Sequence, residues 1–216
     1  MAAMPASPKI YHITHWLNLA HIIECGGLWS DARRIQLGLD TKIVGISGIK
    51  DRRLRELDVK CYQGTKVGEY VPFYYCPRSV MLYILHMGNH PALNYHGGQE
   101  PIVHLVADLN EVARWASGEG VRWAIADRNA GARYASFFGR LSDLPRLDWA
   151  AIANSDFRDP AVKESKQAEF LLYEFFPWGL VERIGVASRN VESNVNQMLA
   201  SVNHKPPVSI ERSWYF

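Results

Sequence analysis

From Phe170 to Phe176 the chain is almost wholly apolar or aromatic, and it enters that run through one carboxylate, Glu169, in the segment Lys163-Glu-Ser-Lys-Gln-Ala-Glu-Phe-Leu-Leu-Tyr-Glu-Phe-Phe-Pro-Trp178. A short run of this composition reads as a buried strand, so the fold must provide a core to receive it. Burying an unpaired carboxylate costs several kcal/mol even after relaxation. Glu169 therefore lies at an exposed rim or is held for a purpose. Arg53, from Ile49-Lys-Asp-Arg-Arg-Leu54, and His12, from Ile10-Tyr-His-Ile-Thr-His15, are polar residues that the same edge could receive.

A chain of 216 residues with 48% hydrophobic residues suits one sizeable domain, and no linker or repeat divides it. Residues 1–216 are read as a single domain whose first eight residues are flexible. Lys and Arg total 24 against 22 Asp and Glu, so a net charge of +2 makes no global case for nucleic acid, and any such site must be local. The three cysteines, Cys25, Cys61 and Cys76, lack the close pairs of a structural zinc site and read as reduced thiols of a cytoplasmic protein. The N-terminal residues do not have the pattern of a secretion signal, and the apolar runs fall short of the ~20 residues that span a bilayer. A soluble protein is expected.

Lys9 to Thr14 reads as a strand, followed by a helix through Trp16, Leu19, Ile22 and Ile23 that Gly26 and Gly27 stop. Residues 29–70 are rich in Gly, Arg, Lys and Asp with weak periodicity, which points to a long irregular excursion of the kind that forms binding loops or lids. Beyond it come a strand at Val71–Tyr75, a helix from Pro77 to Met87, a strand at Ile102–Ala107, a helix capped by Asp108 and a strand at Arg122–Ala126. Short helices fill 131–165. Strands at Ala168–Phe176 and Val181–Ala187, a helix at Val191–Val202 capped by Asn190, and a strand from Pro207 to Tyr215 complete the chain. The elements interleave without regular alternation or a glycine-rich strand–helix turn, so an α+β domain with a split or strongly bent sheet fits better than a doubly wound one.

Each polar candidate has an ordinary alternative. Glu169 as a strand-end residue in a weak exposed pair with Lys163 or Lys166 is the commoner arrangement. Its functional counterpart is a carboxylate that binds a sugar hydroxyl beside a developing positive charge, as glycosidic-bond chemistry requires. Arg52 and Arg53 lie in a charged run that is ordinarily a solvated helix face, although an arginine's planar fork also suits a phosphate or an anionic base. The pairs His12/His15 and His86/His90 have metal-like spacing without further ligands, so no metal is expected. Tyr74, Tyr75, Tyr83, Trp123, Phe137 and Phe138 read as core aromatics. Near Arg78, Arg122, Arg128 and Arg133 they also match the rings and guanidinia that bind single strands.

Taken together, the blocks Ile10-Tyr-His-Ile-Thr-His-Trp-Leu-Asn-Leu19, Ile49-Lys-Asp-Arg-Arg53, Tyr70-Val-Pro-Phe-Tyr-Tyr-Cys-Pro-Arg-Ser-Val-Met-Leu-Tyr83, Gly97-Gly-Gln-Glu-Pro-Ile-Val-His-Leu105 and Lys166-Gln-Ala-Glu-Phe-Leu-Leu-Tyr173 resemble the DarT family of DNA ADP-ribosyltransferase toxins. The resemblance runs from about Ile10 to Tyr215. It implies an ADP-ribosyltransferase-like split, bent β-sheet with flanking helices that clasps NAD, and transfer of ADP-ribose to a base of single-stranded DNA, thymidine in the members most similar. By matching position, Glu169 and Arg53 would be catalytic, with Arg53 acting at the target base. His12, Thr14, Asn18 and Tyr74 would belong to the NAD pocket, under a loop from about Leu28 to Arg53. Arg78, Arg128, Asn129 and Lys166 would line the DNA groove. The family pattern further implies a cognate macrodomain antitoxin, DarG-like, and no metal. Asn129 replaces a histidine that close members carry after Asp-Arg; it can donate and accept hydrogen bonds but cannot carry charge or stack like imidazole. A protein-targeting ADP-ribosyltransferase and an NAD glycohydrolase share the same pocket and stand as alternatives, beside a nucleic-acid-binding module without chemistry.

Overall fold

The apolar run that follows Glu169 forms two strands instead of one, because the backbone turns at Glu174. With φ at 57°, it is the one non-glycine residue of positive φ among the described residues. Its N–H donates to the carbonyl of Glu69 at 2.8 Å, and its own carbonyl accepts from the N–H of Ser30 at 2.7 Å. The strained residue is thus held from both sides.

The computed structural model describes residues 4–216. In chain order the strands are β1 (Lys9–His15), β2 (Gly27–Trp29), β3 (Tyr70–Tyr74), β4 (Ile102–Asp108), β5 (Trp123–Ala126), β6 (Phe137–Phe138), β7 (Glu169–Tyr173), β8 (Phe175–Pro177), β9 (Arg183–Val186) and β10 (Val208–Ile210). The α-helices are α1 (Leu19–Glu24), α2 (Asp31–Gln36), α3 (Ser47–Arg55), α4 (Val80–Met87), α5 (Leu109–Gly118), α6 (Trp149–Ala153), α7 (Pro160–Ser165) and α8 (Arg189–Leu199). Eight strands make one sheet in the order β10-β9-β4-β1-β3-β7-β5-β6, and β2 pairs with β8 in a small second sheet. Every pairing is antiparallel except β10 beside β9. This is the expected α+β architecture, a large bent sheet with flanking helices.

The sheet is nearly parted at its centre. β1 pairs with β4 from Lys9↔Asp108 to His15↔Ile102, but with β3 only at Tyr11↔Tyr74. β3 in turn runs fully alongside β7, which brings Tyr74 opposite Glu169. The parting between β1 and β3 therefore opens beside the first residue of β7.

One core packs Ile10, Phe73, Leu105 and Phe170 of the sheet against the amphipathic helices α5 and α8 through Val112, Ala116, Val191 and Val195. Asp108 caps α5 as expected, accepting from the N–H groups of Asn110 and Glu111. Helix α8 starts earlier than expected, capped by Ser188 and not by Asn190. Helix α4 starts after Ser79, whose hydroxyl caps it by accepting from the N–H of Leu82. The last strand shortens to β10 and gives way to a single 3-10 turn at Arg212–Trp214. Residues 29–70 hold the last residue of β2 and the helices α2 and α3 where an irregular excursion was expected. Neither helix buries a residue, so neither carries the apolar stripe that periodicity detects. At the N-terminus, Ser7 donates to Asp108 and the carbonyl of Pro8 accepts from Leu109; residues 1–3 of the expected flexible segment lie outside the described residues.

His104 is fully buried between the hydroxyl of Tyr215 and the carbonyl of Pro77. Burial lowers its pKa from 6.5 to about 4. Between those values the unfolded chain binds the proton and the folded one does not, so stability falls as the pH drops through that window and is full above it. The expected loss is on the order of 3 kcal/mol. A melting temperature that falls between pH 6.5 and 4, less steeply in His104→Gln, is the expected result; equal slopes in both proteins would assign the acid lability to other groups.

Candidate active site

Glu169 is 1% exposed, yet it is neither unpaired nor on a rim. Arg53, near the end of α3, donates from Nη1 to Oε1 at 3.1 Å and from Nη2 to Oε2 at 2.8 Å. The backbone N–H of Ala130 donates to Oε1 at 2.9 Å. Such a two-pronged pair offsets much of the cost of burying the carboxylate. Burial would lower the pKa of Arg53, but the charge and hydrogen bonds of Glu169 outweigh it and hold the guanidinium above its ordinary value.

Helix α3 reaches this position because Gly68 lets it. A Cβ on Gly68 would fall 2.9 Å from the Cα of Leu54, the residue after Arg53. Only a glycine permits so close an approach of two backbones.

Arg53 and Tyr74 face a cleft of about 220 Å³ at the parting of β1 and β3, lined from one side by His12, Thr14 and Asn18 and from the other by residues of 28–53. His12 places Nδ1 2.8 Å from the carbonyl of Pro72. A carbonyl only accepts, so Nδ1 carries the proton and Nε2 keeps its lone pair. Burial lowers the His12 pKa to about 4, which keeps the ring neutral at pH 7. Burial, and then the negative charge of Glu169, raise the Tyr74 phenol well above its usual range, so it remains a neutral O–H.

Asn18 acts through its neighbours. Its amide donates to the hydroxyl of Thr14 and the carbonyl of Lys42, both at 3.0 Å, and accepts from the N–H of Lys42 at 2.8 Å. It thereby latches the loop that walls the cleft. Further along, Lys50 donates to both oxygens of Asp31 at 2.8 and 2.9 Å, with Arg34 at 3.5 Å from the same carboxylate. Burial would raise the Asp31 carboxyl, but Lys50 and then Arg34 hold it below the usual range. A dinucleotide carries two phosphates and two flat rings; the cations Arg34, Lys42 and Lys50 and the rings of Trp29 and Tyr74 suit both.

Of the residues expected to line a DNA groove, only Asn129 belongs to the cleft. Its side-chain Oδ1 accepts from the N–H of Gly131 at 2.7 Å, which shapes the turn that aims Ala130 at Glu169. Arg128 is paired with Asp127 at 3.1 Å and with Glu164 at 2.9 Å. Arg78 and Lys166 line a second cavity together with Tyr75. The two cavities share no lining residue. Lys166 is 3% exposed and donates to the carbonyl of Ile152 at 2.7 Å. Sequence reasoning missed the Ala130 N–H, which has no side-chain signature, and the Asp31–Lys50 pair, whose partners lie in different helices. No cluster of three or more His, Cys, Asp or Glu able to hold a metal occurs among the described residues.

The sequence pattern of the family described as ssDNA thymidine ADP-ribosyltransferase, DarT, matches residues 11–216. A DNA ADP-ribosyl transferase of Thermus aquaticus is 40% identical over 216 residues, which cover 99% of this chain and 91% of the relative. Among solved structures, Thermus sp. 2.9 DarT in complex with ADP-ribosylated ssDNA matches with a TM-score of 0.88 and 37% identity, covering 100% of this chain and 99% of that one. The same protein in complex with NAD+ matches with a TM-score of 0.83 and 36% identity, over 98% of this chain and 99% of that one. With a buried carboxylate and arginine beside the cleft, and a match along nearly its whole length, this chain belongs to the DarT family of DNA ADP-ribosyltransferases, which take NAD as substrate.

Proposed function

We propose that residues 1–216 act as a single domain that moves ADP-ribose from NAD to a ring nitrogen of thymidine in single-stranded DNA, with Glu169 and Arg53 as its catalytic groups. The observation that carries this reading is the pair itself: a carboxylate fixed by two elements, and bound to it a guanidinium that lines the cleft. Glu169 accepts a hydrogen bond from a hydroxyl of the nicotinamide ribose in place of one from Arg53. Its charge then stabilises the positive charge that grows as the glycosidic bond stretches, and nicotinamide leaves with the bonding electrons. The base nitrogen forms the new bond to the same sugar carbon and gives up its proton to water. Arg53, held charged, is no base; it stabilises the anionic form of the thymine ring. A paired base hides that nitrogen, so the substrate is single-stranded.

His12, Thr14 and Tyr74 line the nicotinamide side of the pocket, and Asn18 positions its wall. Arg78, Arg128, Asn129 and Lys166 serve the DNA side. The chain works in the cytoplasm as the toxin of a pair whose DarG-like macrodomain antitoxin removes the modification. Family membership supports both statements.

Asn18→Ala removes the latch on Lys42, and hydrogen bonds of this kind contribute about 1 kcal/mol each. The expected outcome is a KM for NAD raised about tenfold with kcat little changed, read from nicotinamide release. Gly68→Ala pushes α3 away from its seat and should cost about 1–3 kcal/mol of stability. DNA labelling should fall further than the melting temperature accounts for, since Arg53 moves with the helix.

Incubation with NAD labelled in its adenylate phosphate, together with single-stranded DNA, duplex DNA and a mixture of proteins, tests the reading. Label on the single strand alone is expected. Label on protein would favour the protein-targeting alternative, and nicotinamide release at an equal rate with and without DNA would favour glycohydrolysis.

A further inference from the structure

Asp31 is the one carboxylate among the described residues that line the cleft, where it stands with the cations Arg34, Lys42, Lys50 and Arg53. NAD brings two negative phosphates, so an acid here weakens its binding unless it serves another purpose. The Lys50 ammonium donates to both Asp31 oxygens, at 2.8 and 2.9 Å. Its arm is confined by the loop above, since a Cβ added at Gly45 would lie 3.1 Å from Cε of Lys50. Lys50 and Arg53 are three residues apart on α3 and share a face of that helix. Helix α3 buries none of its own residues and has no side-chain cap; it is anchored by buried Ile46 before it and by Leu54 against Gly68 at its other end. Asp31 is itself the first residue of α2. Before it, Ser30 caps α2 by accepting from the N–H of Arg33 at 3.2 Å, and donates its own N–H to the carbonyl of Glu174 at 2.7 Å. The contacts close a ring: from Glu169 along β7 to Glu174, across to Ser30 and Asp31, through Lys50 to Arg53, and back to Glu169.

We infer that Asp31 is a positioning residue for the transfer: by holding Lys50 it sets the roll of α3 about its own axis, and so the aim of the Arg53 guanidinium. The inference rests on the role of Arg53 proposed above. Asp31 acts through Lys50 and needs no contact with either substrate. Misplacing a reacting group by about 1 Å can cost on the order of 10²-fold in rate. The ion pair is partly open to water, with side-chain exposures of 31% for Lys50 and 28% for Asp31, so it adds little to stability. Its loss is therefore read in the turnover of a protein that stays folded.

Steady-state transfer to a single-stranded oligonucleotide with one thymidine, at varied NAD, tests this when nicotinamide release without DNA is followed beside it. Asp31→Asn should lower kcat for transfer about tenfold. Its KM for NAD should stay the same or fall, since a negative charge has left the cleft, and nicotinamide release without DNA should persist. Lys50→Met should lower kcat to a similar extent, and adding Asp31→Asn to it should lower kcat no further, because both substitutions remove one bond. Lys50→Arg keeps a two-pronged hold on the carboxylate and should recover most of the turnover. Lys50→Met reads the same bond from its other end, so the test stands if Asp31→Asn does not fold. A raised KM with unchanged kcat would make Asp31 a substrate-binding group and overturn the inference. So would additive losses in the double variant, or a loss of transfer that only follows the fraction unfolded. Arg53→Ala separates this inference from the reading beneath it. If that variant transfers like the wild type, the role of Arg53 falls and the inference with it; if it loses transfer while Asp31→Asn keeps the wild-type kcat, only the positioning role of Asp31 falls.

Discussion

Glu169→Gln is expected to lower ADP-ribose transfer to single-stranded DNA by roughly 10³-fold, the scale seen when a preorganised electrostatic group is removed from a transition state. The substitution keeps the shape of the side chain and deletes its charge. It also disturbs the resting protein, because both carboxylate oxygens accept from Arg53 at 3.1 and 2.8 Å. An amide can orient its oxygen toward one guanidinium nitrogen, but then its own NH2 faces the other. With Arg53 left short of a counter-charge in a nearly closed site, stability should fall by roughly 3–5 kcal/mol. Transfer must therefore be read well below the melting temperature, with binding of NAD as the check on folding. A folded variant that keeps even a tenth of wild-type transfer would refute the role of Glu169.

Arg53→Ala should reduce transfer by roughly 10²–10³-fold while sparing slow release of nicotinamide in the absence of DNA, because Glu169 still faces the ribose. The two catalytic groups are thus separable by which half of the reaction they serve. The variant strands a carboxylate that is 1% exposed with only the Ala130 N–H to hold it, so its stability falls too. Arg53→Lys restores the charge but not the planar fork. It should recover most of the stability and little of the transfer. Parallel measurement of nicotinamide release and DNA labelling in the three proteins checks this, and full labelling by Arg53→Ala would mean that the target base is not its business.

The central strands were legible because their burial is written as apolar runs, and the helix after Asp108 because its cap is a side chain. The helices α2 and α3 were not, since they bury no residue and carry no stripe. The break of one apolar run into β7 and β8 depends on the positive φ of Glu174, which its two tertiary backbone bonds enforce and no local propensity announces. At the site, Glu169 was conspicuous as a charge before a buried strand, and Arg53 was found by likeness of pattern. Their direct pairing across 116 positions of sequence was not readable from spacing. Lys166 and Arg78 look like surface cations in the sequence; the structure puts them in a second cavity, apart from the cleft.

The most direct test of the proposed chemistry is the intact mass of two short single-stranded oligonucleotides, alike except that one lacks thymidine, after incubation with the protein and NAD. A gain of one ADP-ribose on the thymidine strand alone is the predicted result. An equal gain on both strands, or none on either while NAD is consumed, would contradict it.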